Sequence, residues 1–93
     1  MLRAFEVGAL ACFAPCNIDV DELLTILQDA KKITDNTITR YALLGVGQAE
    51  IKFPLYDERF MPYFVLYLKA LGFRVISDWR KKDHHSVNID FGF

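Results

Sequence analysis

The stretch Ser77 to Phe91, "SDWRKKDHHSVNIDF", brings three basic residues, three acids and both histidines of this 93-residue chain close together in sequence. Arg80, Lys81 and Lys82 are cations suited to phosphate. His84 and His85 are ring nitrogens suited to a metal or a proton. Asp78, Asp83 and Asp90 are carboxylates. A metal site could draw on His84, His85, Asp83 and Asp90, with Cys12 and Cys16 from the other end of the chain. Adjacent histidines on a strand, however, point to opposite faces, and neither an HExxH helix nor paired CxxC motifs are present. The expectation is two solvated imidazoles and two core thiols, with no metal and no cofactor.

Nuclease-like chemistry needs clustered carboxylates and a lysine. Asp78, Asp90 and Lys81 or Lys82 lack a recognisable spacing for it. No Gly-rich phosphate loop and no convincing Ser-His-Asp or Cys-His order is present, so a non-enzymatic protein is expected. A third chemistry is nucleic-acid binding. A hairpin carrying Arg74, Arg80, Lys81, Lys82, His84 and His85 could follow phosphates while Trp79 stacks on a base. The plainer reading is that the cations keep a hairpin tip soluble and Trp79 packs on the core. A formal net charge of −1 supplies no wider basic field, which makes nucleic acid the alternative and not the first reading.

Two apolar alternations must position that stretch. Phe73, Val75, Ser77 and Trp79 share one strand face, and Val87, Ile89, Phe91 and Phe93 another, so Arg80 to Ser86 is expected as the exposed tip of a β-hairpin. Before it, "DERFMPYFVLYLKALG" reads as a helix. Phe60, Phe64, Leu68 and Leu71 form its stripe, widened by Met61 and Val65; Pro62 sits in the first turn, and Gly72 is a left-handed stop. "QAEIKFPL" alternates Ala49, Ile51, Phe53 and Leu55 with Glu50 and Lys52, and Pro54 puts that strand at a sheet edge or makes it end there.

"IDVDELLTILQDAKKI" is the clearest helix. Asp19 caps it with Glu22 at capping-box spacing, Ile18 and Leu23 form a staple, and Val20, Leu23, Leu24, Leu27 and Ala30 are its buried stripe. A separate, shorter helix is expected over "TDNTITRYALLGVG". Thr34, Asp35 or Asn36 caps it, Ile38, Tyr41, Ala42 and Gly45 form its stripe, and Gly45 or Gly47 stops it. Leu2 to Phe13 fits either a helical face (Leu2, Phe5, Ala9, Cys12) or a strand face, with alanine content favouring helix.

At 53% hydrophobic and 25% charged, the chain can bury a core, and 93 residues suit one domain, 1–93. Two cysteines are too few for a disulfide scaffold and read as reduced thiols. Glu6 interrupts the first apolar run, and no clean cleavage site follows it, which argues against a signal peptide. No run is long enough to span a membrane. The fold expected is a single small α+β domain with about three helices, a three-stranded, mainly antiparallel sheet and a C-terminal β-hairpin.

From Thr37 onwards, "ITRYALLGVG", "LKALGFRV" and "VNIDF" resemble a pattern in small accessory proteins of tailed bacteriophages. It runs helix, strand, helix ending in a glycine phrase, then a β-hairpin. The resemblance implies a viral protein acting in the host cytoplasm, but carries over no functional residues. Partly by elimination the expected function is stoichiometric contact with a protein; the resemblance implies a host protein as that partner, and the other partner considered is a second copy in a homodimer. Helix Phe60 to Leu71 is apolar on more than one face, so Tyr63, Tyr67 and Ala70 are expected to face that partner.

Overall fold

The structure, a computed structural model, describes residues 3–91. Along the chain these form helix α1 (Ala4–Leu10), a 3-10 turn (Ala11–Phe13), helix α2 (Val20–Leu43), strand β1 (Gln48–Phe53), helix α3 (Met61–Ala70), and strands β2 (Arg74–Arg80) and β3 (His85–Asp90). The strands make one antiparallel sheet in the order β1-β3-β2, so the fold is the expected α+β domain. One face of the sheet is packed against the helices. The molecule measures 38 × 36 × 19 Å, and its thinnest dimension suits one sheet and one layer of helices, about 10 Å each.

The first segment is helical, as its alanine content suggests. Its strand alternative is overturned. Ala9 is buried, but Phe5 is exposed, and Leu2 and the last two residues, Gly92 and Phe93, lie outside the described residues. The anchor is Phe13, at the end of the 3-10 turn. Its ring stacks on Phe60 with centroids 5.6 Å apart and tilts against Tyr67 at 5.7 Å.

The two helices expected between Ile18 and Gly47 are one continuous helix of 24 residues. No glycine or proline interrupts it. Thr34, expected as a cap, is buried in mid-helix and donates its hydroxyl to the carbonyl of Ala30 at 2.8 Å. Asp19 is the cap, as expected: its carboxylate accepts from the N–H of Asp21 at 3.2 Å. The end is a Schellman turn. Gly45, at φ 75, donates to Ala42 O at 3.0 Å, and Val46 donates to Tyr41 O at 3.0 Å. The buried stripe is rotated from the expected one. Leu23, Ile26, Leu27, Ala30, Ile33, Ile38 and Tyr41 face the core, whereas Val20 and Leu24 are exposed.

In β1, Ala49, Ile51 and Phe53 are buried while Gln48, Glu50 and Lys52 are exposed. Pro54 ends the strand, so the alternation stops and Leu55 is exposed. Helix α3 has Pro62 in its first turn and ends in a second Schellman turn. Gly72, at φ 99, donates to Lys69 O, and Phe73 donates to Leu68 O at 3.1 Å. Phe60, Phe64 and Leu68 are fully buried, and Phe64 meets Phe53 edge-on at 5.4 Å.

Segment 54–60 joins β1 to α3 and is tied down on both sides. Tyr56 donates its hydroxyl to Asp29 of α2; burial first, and then this hydrogen bond, raises its pKa. Arg59 forks onto Asp57, with Nε to Oδ1 at 2.9 Å and a terminal nitrogen to Oδ2 at 2.6 Å. Its other terminal nitrogen donates to the Asn17 carbonyl. The guanidinium holds Asp57 down from an ordinary 3.8 to about 2.

Candidate functional site

Strands β2 and β3 form the expected hairpin, but its tip is shorter than Arg80 to Ser86. Lys81 donates to His84 O at 2.8 Å, leaving Lys82 and Asp83 as the two turn residues. Arg80 belongs to β2, while His85 and Ser86 belong to β3. Exposure falls accordingly: Lys81, Lys82 and Asp83 are exposed, His84 and His85 are half-buried, and Ser86 is fully buried.

The register decides which way each side chain points. Val75 faces the core opposite Ile89, but a bulge at Ile76 inserts one residue before Ser77 pairs with Asn88. The extra residue reverses the alternation. Ser77 therefore points to the open face, where Asn88 Nδ2 donates to its hydroxyl at 2.9 Å. Asp78 takes the inward position opposite Val87, and Trp79 stands on the open face opposite Ser86. The expected common face of Phe73, Val75, Ser77 and Trp79 is thus overturned. Trp79 does not pack on the core; it is 63% exposed.

Across the open face, Lys52 of β1, Ser86 of β3 and Trp79 of β2 form one cross-strand row. Ser86 lies between its two larger neighbours, and its hydroxyl has no hydrogen-bond partner among the described residues. Lys52 pairs loosely with Glu50 at 3.9 Å and acts electrostatically on Asp83. Asp83 is lowered first by its hydrogen bond to His84, whose Nδ1 lies 2.6 Å from its carboxylate.

The inner side of the hairpin is different. His85 pairs in register with Phe53 and places Nε2 3.5 Å from Asp78 Oδ1, too far for a good hydrogen bond. Arg80 reaches Glu58 at 2.9 Å. His85 and Arg80 border a cleft of about 110 Å³ with Tyr56, Glu58, Met61 and Pro62. His85 and Ser86 are sequence neighbours on opposite faces, so they cannot act together as base and nucleophile.

The structure therefore scatters the expected site residues. Trp79, Lys81 and Lys82 are exposed on the open face or at the tip, joined by Lys52, which the sequence reading missed; its cross-strand position with Ser86 and Trp79 is visible only from the register. Arg74 is exposed at the far end of β2, opposite Asp90. Arg80 and His85 face the inner cleft. The partner-facing set on α3 is corrected: Tyr67 is buried against Phe13 and Phe64, Tyr63 packs half-buried on the core, and of the three only Ala70 is exposed. Tyr67 is drawn inward because α3 is covered on a second side by Phe13.

Cys12 and Cys16 are free and half-buried, and Cys16 Sγ donates to the Arg59 carbonyl at 3.4 Å. Among the described residues, no three His, Cys, Asp or Glu side chains gather in a way that could hold a metal ion, and no helix is long and apolar enough to cross a membrane. In comparisons with known proteins, the chain matches no family model, no curated protein and no solved structure.

Proposed function

We propose that this chain is a small non-enzymatic binding protein that acts by stoichiometric contact with a protein partner, through the open face of its sheet. The observation that carries this reading is Trp79, the chain's single tryptophan, standing 63% exposed on the sheet face opposite the one packed on Phe60, Phe64 and Leu68. A large ring left in water is costly for a free molecule and is the kind of side chain that dominates protein contacts. Exposed Ile76 adds apolar area, and Glu50, Lys52 and Arg74 supply a mixed-charge rim. The resemblance to phage accessory proteins favours a host bacterial protein as the partner and the host cytoplasm as the place of action. A pull-down from bacterial lysate with wild type and Trp79→Ala tests this. A protein retained by wild type and lost by the variant supports the open face; equal retention by both rejects it.

A second reading is single-stranded nucleic acid, favoured by Lys52 in the same cross-strand row as Trp79 and by exposed Lys81 and Lys82 at the hairpin tip. A gel shift across a salt series separates the two readings. A complex with nucleic acid weakens steeply as salt rises, because phosphate contacts release counterions.

A further inference from the structure

We propose that the free edge of β2 is self-complementary and that two copies of this chain pair there, antiparallel, across Asp78-Trp79-Arg80. This goes beyond the reading above: the second copy is identical and the test uses purified protein, so neither result decides the other.

The ladder fixes which backbone groups are available. Lys81 bonds to His84, and hydrogen-bonded pairs alternate along an antiparallel hairpin. Trp79–Ser86 is therefore a hydrogen-bonded pair, while the main-chain groups of Asp78 and Arg80 point away from β3 towards the edge. Strand β2 has a neighbouring strand on one side only. If a second β2 pairs antiparallel with Trp79 opposite its own equivalent, the outward groups of Asp78 meet those of the second copy's Arg80, and the reverse. The two tryptophans then form a non-hydrogen-bonded pair, the kind with the closest side chains.

Charge matches this register twice over. Asp78 opposes the second copy's Arg80, and Arg80 opposes the second copy's Asp78, as a two-fold interface requires. Asp78 also faces His85 at 3.5 Å, and Arg80 also faces Glu58 at 2.9 Å, so neither side chain abandons its own chain to make the new pair. From α3 onwards, the large apolar side chains left exposed among the described residues are Leu66, Ile76 and Trp79, all on β2 or on the helix packed over it. A two-fold axis normal to the sheet brings both α3 helices to the same side, where Leu66 adds to the contact.

The other edge carries the same alternation in Glu50-Ile51-Lys52, but helix α2 lies beside it. Asn36, Thr37, Arg40 and Tyr41 of α2 share a cleft with Glu50 and Lys52. An exposed edge is normally protected in such ways. On β2 the bulge at Ile76 limits pairing to the segment beyond it, which keeps the assembly at two copies.

Sedimentation of the full chain, with Trp79 fluorescence followed over the same concentrations, tests the pairing. Wild type is expected to dimerise below about 1 mM, with emission shifting to shorter wavelength as it does so. Asp78→Arg and Arg80→Asp each set like charges opposite one another twice, so each alone is expected to weaken the dimer by about tenfold or more. The swap Asp78→Arg/Arg80→Asp restores complementarity and is expected to return to within about threefold of wild type. An equimolar mixture of the two single variants is expected to form a heterodimer, which no general loss of folding can imitate. Wild type that stays monomeric throughout, single variants that dimerise as wild type does, or a mixture that fails to associate overturns the proposal.

Discussion

The two faces of one three-stranded sheet are built by opposite rules. On the inner face, Ile51, Phe53, Val87 and Ile89 are sealed under Phe60, Phe64 and Leu68. On the outer face, Trp79 and Ile76 stand in solvent among charged and amide side chains, and the one fully buried residue, Ser86, carries a hydroxyl without a partner. The inner face spends its aromatic rings on one another. The outer face holds its single large ring in reserve. Position relative to the helices therefore matters more than residue type: Tyr67 and Trp79 have similar chemistry, and one is core while the other is surface.

The largest test of that contrast is Phe64→Ala. Phe64 is fully buried and touches the rings of Phe53, Phe60 and Tyr67 at 5.4, 5.3 and 5.7 Å. Removing it takes away its transfer free energy and leaves a cavity that three rigid rings cannot close, at a cost of about 3–5 kcal/mol. Urea unfolding measures it. A loss under about 1 kcal/mol would mean that the inner face is loosely packed and the contrast is false.

Ser86→Ala comes next and has the opposite sign. The hydroxyl pays for burial and receives no hydrogen bond in return. Its removal is expected to stabilise the fold by about 1 kcal/mol, read as a higher urea midpoint at unchanged slope. A destabilised variant would show that the hydroxyl has a partner, in which case the open face is better satisfied than its geometry indicates.

Much of the inner face was legible in the sequence. The alternation of Ala49, Ile51 and Phe53 gave the β1 face, and Gly45 and Gly72 marked two helix ends that both proved left-handed. What escaped was decided by distant residues or by single backbone events. Tyr67 looked like a partner-facing residue because nothing near it in sequence announces Phe13. Thr34, Asp35 and Asn36 have the chemistry of a cap, yet Thr34 bonds back to Ala30 and the helix continues. The bulge at Ile76 has no local signal, since "RVIS" contains no glycine, and that one extra residue moved Trp79 from the expected core to the open face. The hairpin was foreseen; the side on which its tryptophan lies was not.

A smaller effect probes the clamp that fixes segment 54–60 beneath the inner face. Asp57 is held at about 2 by Arg59, below its ordinary 3.8. A carboxylate depressed on folding stabilises the fold above its unfolded pKa, and that contribution is lost as pH falls through the folded pKa. The Asp57–Arg59 contribution should therefore persist down to about pH 4 and vanish between pH 4 and pH 2. Titration of the Asp57 carboxyl by NMR should give a midpoint near 2, and Asp57→Asn should flatten the stability profile in that window. A midpoint near 4 would show that the fork with Arg59 is not maintained in solution.

The smallest expected effect is Trp79→Ala, and it bears most directly on the contrast. Tryptophan in a core costs about 3–5 kcal/mol to truncate, but Trp79 is already 63% exposed, so little burial is lost. Loss of the ring also uncovers Ser86 and lets water reach its hydroxyl, which offsets the contact removed. The change in unfolding free energy, measured dilute enough to keep copies apart, should stay within about 0.5 kcal/mol. Association should fall all the same, because an exposed ring contributes to a contact only once the contact forms. A cost above about 2 kcal/mol would make Trp79 a structural lid over Ser86. The outer face would then be a second, thinner core, and its exposed tryptophan would no longer argue for a partner.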